Sequence, residues 1–184
     1  MRGWALVQQG PAEEGIEQLR RGIAVCRTLA DEAGRPVFLA TLAEAYGKVG
    51  QPEAGLHELT EALAVAYKTQ ELRWEAELHR LKGELLLQVA GGKSDASIFK
   101  LPSPGGTSHL AEAETCWQRA LQVARCQQAK SLELRAVMSL SRLWLSQGKH
   151  TQAHQMLSEI YAWFTEGFET QDLQEAKTLF EALQ

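Results

Sequence analysis

The sequence predicts an all-α fold, a superhelical solenoid of about four antiparallel helix pairs followed by a C-terminal capping helix. Three observations carry this: turn signals forty residues apart, an order of small and large residues repeated at that interval, and the absence of the period-two alternation that marks strands. Gly10-Pro11 and Gly50-Gln51-Pro52 each stop one helical pattern and start the next. Glycine takes the left-handed conformation that ends a helix, and proline is preset for a first turn. The same interval links Gly15 to Gly55, Leu19 to Leu59, Gly22 to Ala62 and Ile23 to Leu63. Ala113, Trp117, Ala120 and Leu121 repeat the order, and forty residues later stand Ala153, Leu157, Ile160 and Tyr161, where Ile160 alone breaks a small position.

The earlier helix of each pair keeps step. Gly3, Ala43 and Gly83 are spaced by forty and Ser141 follows at 58; three residues after each comes a large one, Leu6, Tyr46, Leu86 and Trp144. Small side chains let antiparallel helices approach closely, and the large residue one turn away fills the gap between neighbouring pairs. No single pair buries both of its faces, so stacking supplies the core. The extra eighteen residues of the third unit are visible as 91–108, with the glycine, serine and proline load of a flexible loop, expected to be mobile and dispensable.

Taken in order, the pattern predicts paired helices at 1–9 and 12–32, 36–49 and 52–70, 72–90 and 109–128, and 131–147 and 150–165. The repeats run 1–32, 36–70, 72–128 and 131–165 within a single domain over 1–184. A last helix at 171–183 sets Leu173, Ala176, Phe180 and Leu183 on one side and charges on the other, as a cap requires. Trp117 and Trp144 fall in core columns, so Trp144→Ala is expected to empty a buried aromatic site, and Trp74→Ala to cost much less.

With 45% hydrophobic residues the chain has ample material for a core, and 23 acidic against 19 basic residues, spread along its length, leave no basic field for a phosphate backbone. Nucleic acid is therefore not an expected partner. The longest apolar stretch, Leu85-Leu86-Leu87, falls far short of the ~20 residues of a membrane span. No signal-peptide pattern opens the chain, and Cys26, Cys116 and Cys126 form no C-x-x-C pair. The expectation is a cytoplasmic chain with reduced cysteines and no membrane partner.

These residues resemble tetratricopeptide repeats (TPR), whose signature pairs a small residue with an aromatic one turn later, then alanine and a bulky residue in the second helix. Ala43 with Tyr46, then Gly55, Leu59 and Ala62, match best; Ser141 with Trp144, then Ala153 and Leu157, are next. The chain departs from the pattern in its period of forty rather than thirty-four, and in lacking a closing proline after Tyr67. Three segments make this longer form similar to the helical C-terminal regions of large bacterial signalling proteins, which carry an adenylate or guanylate cyclase domain, or a transcription-factor domain, ahead of an ATPase module. They are residues 76–87, Ala111-Glu112-Ala113-Glu114 with Arg119-Ala120-Leu121, and Trp163-Phe164-Thr165-Glu166-Gly167-Phe168. In such proteins the catalytic chemistry lies on segments that this sequence does not contain.

Motifs for catalysis are weak. Gly92-Lys93-Ser94 is similar to the end of a phosphate loop, but Leu87 stands where glycine is required. His150 and His154 lie one turn apart, as zinc ligands can, but Thr151 replaces the glutamate of the hydrolytic motif. No nucleophile elbow is present. The sequence reads as non-enzymatic, without cofactor or metal. What remains is the concave face. In the repeats that this chain resembles, first helices line a peptide groove, and the matching columns place there Ala40, Arg80 and Met138, then Glu44, Glu84 and Arg142, with Lys48 and Arg135 nearby. The groove is of mixed charge, and the chain has no asparagine, which disfavours the chaperone-tail type of clamp.

The expected role is a non-catalytic protein-protein interaction or regulatory module of a larger signalling protein, binding a protein, a peptide or adjacent domains. The alternative is a small-molecule sensor controlling an attached ATPase or cyclase, which would need a deep apolar pocket. The short first helix, ending at Gly10, further suggests an open N-terminal face where Trp4, Leu6 and Val7 lack a neighbour and promote self-association.

Overall fold

The computed structural model describes residues 7, 12–28, 32, 34–91 and 106–183. Among these stand eight α-helices: α1 (Ala12–Thr28), α2 (Arg35–Lys48), α3 (Pro52–Thr69), α4 (Glu75–Gly91), α5 (Gly106–Cys126), α6 (Lys130–Ser146), α7 (His150–Tyr161) and α8 (Gln171–Ala182). No strand occurs among the described residues.

The helix ends follow from their residues. Gly34 precedes α2 at φ +76°, with Pro36 in the first turn, and Gly50 closes the α2–α3 corner at φ +72°. The joint after α3, where the sequence offers neither glycine nor proline, is closed by Gln70 at φ +58° and a 3-10 turn over Leu72–Trp74. The joint after α5 uses Gln128 at φ +54°, 58 residues later. Two glutamines in the left-handed region thus do the work usually given to glycine.

Several boundaries differ from the sequence reading. α7 stops at Tyr161 rather than 165, because Ala162 and Trp163 enter a turn and Gly167 takes φ +78° before α8. Gly91 belongs to α4, and residues 106–108 belong to α5, so the insertion is shorter at both ends than 91–108. Residues 92–105 and the rest of the first helix lie outside the described residues, together with Trp4 and Leu6. Val7 is buried against the core, contrary to an open surface there.

Packing realises the small-and-large code. The Trp117 indole of α5 lies directly over Gly83 of α4, where an added Cβ would stand 2.7 Å from Cδ1, and its Nε1–H donates to the Arg80 carbonyl at 3.1 Å. Gly55 lets α3 close on α2: a Cβ there would meet the Ala43 carbonyl oxygen at 2.8 Å. Trp117 is 1% exposed, as its column requires. Trp144 corrects the expectation: it is half-buried at the core margin, with its Nε1–H donating to Glu114 at 2.9 Å. Trp74 is half-buried as well.

The first helices α2, α4, α6 and α8 touch one another in succession, whereas α3, α5 and α7 each pack on the two first helices flanking them. Helices in direct mutual contact line the inside of a curved stack, so this layer forms the concave side. α8 keeps the forty-residue register of α6. Ala176 follows Ala136 and Leu183 follows Leu143, all buried, but exposed Lys177 and Glu181 replace buried Val137 and Ser141. The face that would receive a further second helix is thereby polar, which makes α8 a cap.

Candidate binding face

Because side chains at i, i+3 and i+4 share a helix face, Glu77, Arg80 and Glu84 of α4 form one row on the inner layer. Arg80 donates through Nε and Nη2 to the two oxygens of Glu77, at 2.9 and 2.8 Å, and through Nη1 to Glu84 at 3.4 Å. Burial works against its charge, yet the hydrogen bonds to Glu77, with the pull of Glu77, Glu84 and Glu44, raise its pKa above the ordinary arginine value. The row continues across helices. Arg135 of α6 reaches Glu77 at 3.0 Å and Asp172 of α8 at 3.2 Å, and Ser139 Oγ–H donates to Glu84 at 2.6 Å. Farther along, Arg142 pairs with Glu175 of α8 at 2.9 Å, and Lys48 pairs with Glu44 on α2 at 3.3 Å.

The charged residues read from the sequence columns are therefore all ion-paired, Arg80 with Glu84 and Lys48 with Glu44 within the columns, Arg135 and Arg142 with residues outside them. Glu44, Lys48, Arg80, Glu84, Arg135 and Arg142 belong to this inner layer of ion pairs. Met138 does not join them: it is 3% exposed and packs in the core, because its side chain falls between α6 and its neighbours rather than over the groove. Ala40 is buried too. Sequence columns missed Glu77, Ser139, Asp172 and Glu175. For Glu77 a signal existed, three residues before Arg80 on the same helix, and for Glu175 another, forty residues after Arg135 in the register that α8 continues.

A second polar cluster sits at the joint of α3, α4 and α5. The Glu75 carboxylate, 5% exposed, accepts from Tyr67 Oη–H and from Arg119 Nη2–H, both at 2.9 Å, and His79 Nε2 stands 3.8 Å away. Burial lowers the pKa of His79, and burial with the adjacent Glu75 raises that of Tyr67. At the start of α6, Glu133 holds the same position and accepts from Arg125 at 2.8 Å and Lys130 at 2.7 Å. Burial disfavours its charge, but the bonds from Lys130 and Arg125 prevail and lower its pKa.

Two surface depressions, one along Arg142, Gln171, Glu175 and Thr178, the other along Lys82, Leu86, Glu112 and Cys116, both open broadly to solvent. Of the two zinc-spaced histidines, His150 is exposed and His154 packs its ring against Phe180, with centroids 4.5 Å apart. Among the described residues no cluster of three or more ligating side chains could hold a metal, and no helix is long and apolar enough to cross a membrane.

The chain is similar over 98% of its length to two crystal structures of a kinesin-light-chain-type protein of Podosopora anserina built of nearly identical TPR-like repeats. The TM-scores are 0.63 and 0.62 at 19% and 18% identity, and 89% of each of those chains is covered. The fold is a TPR-like superhelix. No protein-family model matches the sequence. Among curated proteins it is similar to an uncharacterized protein of Rhizobium meliloti (strain 1021), 27% identical over 147 residues. That match takes 80% of this chain but 13% of the relative's length. The ion-pair row lies on the layer of first helices, and the Glu75 and Glu133 clusters lie where one repeat hands over to the next.

Proposed function

We propose that this chain is a non-catalytic protein-protein interaction and regulatory module, and that a protein or peptide docks along Glu44, Lys48, Arg80, Glu84, Arg135 and Arg142. The observation that carries this reading is the inner layer itself: four first helices in succession present charged and hydrogen-bonding groups, largely buried at Glu77 and Arg80 and open to solvent at Arg135 and Arg142, held in fixed positions by their pairing. Such a surface recognises a partner of mixed charge by exchanging ion pairs, and it gains specificity more than affinity from doing so. The broad openness of both depressions weighs against the small-molecule sensor.

The module belongs, in this reading, to a cytoplasmic signalling protein of the cyclase–ATPase or ATPase-type regulator kind. The match to a small share of a far longer relative supports the larger parent alone. Site-specific photocrosslinking in cells tests the groove: a crosslinker at Glu84 or Arg142 should capture a defined partner or an adjacent domain, and one at exposed Gln118 of α5 should not. Equal capture from both faces would overturn it. An immunoblot showing a native product near 20.4 kDa would overturn the larger parent.

A further inference from the structure

Two ion pairs occupy the same place in consecutive repeats with opposite polarity. In the second repeat Arg35, at the start of α2, donates through Nη2 to Glu61 of α3; both side chains are largely buried, 14% and 24% exposed. Forty residues after Arg35 stands Glu75 at the start of α4, and 58 residues after Glu61 stands Arg119 of α5; these two pair at 2.9 Å. The intervals are those that relate the small and large core residues of the two repeats, so each pair joins first helix to second helix at one structural position. Cation and anion have changed sides.

We infer that this reversal is a register code for these two repeats, which makes α2 take α3 and not α5, and α4 take α5 and not α3, as the partner within its own repeat. The apolar residues make that choice by volume, since Ala43 would crowd Trp117 and Gly83 would leave a gap beside Leu59, but their order does not make it. Ala43 and Gly83, Tyr46 and Leu86, Leu59 and Trp117, and Ala62 and Ala120 offer the same sequence of small and large positions, all buried. A solenoid whose repeats share one packing pattern is exposed to pairing of the wrong helices during folding. The charges separate the two outcomes. α2 packed on α5 would set Arg35 against Arg119, and α4 packed on α3 in the same manner would set Glu75 against Glu61, like charges in partly desolvated positions. The native arrangement puts opposite charges together in both repeats.

The experiment gives both repeats the same polarity. Glu61→Arg alone should lower the melting temperature by about 4 °C or more, and Arg35→Glu combined with Glu61→Arg should return it to within about 2 °C of the natural protein. In that double variant both first helices begin with glutamate and both second helices carry arginine. On dilution from denaturant its recovered native fraction should fall at least about two-fold relative to the natural protein, with the remainder in slow or aggregated species. Should Glu61→Arg fail to fold, Glu61→Gln replaces it as the unpaired reference. Lack of recovery in the double variant would show that the two residues are not coupled. Refolding of the double variant with the natural yield would show that charge order does not choose the partner. Either result overturns the inference.

Discussion

The third repeat (α4 and α5) and the fourth (α6 and α7) solve one packing problem with different residues. In the third, glycine faces tryptophan: Gly83 leaves the space that the Trp117 indole fills. In the fourth, Ser141 and Leu157 stand at the same two positions, both fully buried, with Ser141 Oγ–H directed to the Ala153 carbonyl at 3.5 Å. What is kept is the combined size of the two positions, not the residue at either. Interiors are close-packed, so volume must be shared across a helix pair rather than set on one helix alone. The carboxylates that open the first helices vary in the same way. Glu75 is held by Tyr67 and Arg119, whereas Glu133 is held by Arg125 and Lys130. Tyr67 and Arg125 occupy corresponding sites on the preceding second helix, which makes that contact the shared one.

The largest effect should come from Trp117→Ala, which empties a fully buried aromatic site and should cost about 3 to 5 kcal/mol in denaturant melts. A cost below that of Trp144→Ala would break the comparison. Next, Gly83→Ser should cost about 1 to 3 kcal/mol by forcing the indole aside. The same change made together with Trp117→Leu transplants the pair of the fourth repeat, and should cost less than the sum of the two single changes. Strict additivity in that double-mutant cycle would mean that the two positions do not share volume.

Trp144→Ala should cost about 2 kcal/mol, since its ring is only partly buried and loses one hydrogen bond to Glu114. The smallest effect concerns pH. His79 has a folded-state pKa below its ordinary 6.5, so the unfolded chain takes up the proton first. Stability is full above pH 6.5 and falls as pH drops through the window beneath it. Val137 stands at the corresponding site of the fourth repeat and cannot titrate, so the slope in that window should vanish in His79→Gln. Melts of the natural protein and this variant from pH 7.5 to 5 check the assignment; an unchanged slope would place the titration elsewhere. Glu133, with its pKa lowered below 4.5, acts only at more acid pH, where stability is lost as pH falls through its folded value.

The sequence by itself determined the helical class, the forty-residue repeat, the placing of Trp117 in the core, and the presence of Glu44, Arg80, Glu84 and Arg142 on first helices. These rest on glycine and proline signals and on apolar periodicity, which act within a few residues along the chain. It was blind to the left-handed glutamines Gln70 and Gln128, whose conformation no residue type announces. It also set Met138 in the groove and Trp144 in the full core, because a column number does not give the rotation of a helix against its neighbours. Which charge meets which across helices was decided by tertiary structure alone. Arg135 meets Glu77 and Asp172 from two different helices, and Arg119 crosses to Glu75, forty-four residues away. Apolar residues are sorted by a force with no direction, so their pattern is written along each helix. An ion pair requires two long side chains to converge within about 3 Å, and only the stacked helices bring those ends together.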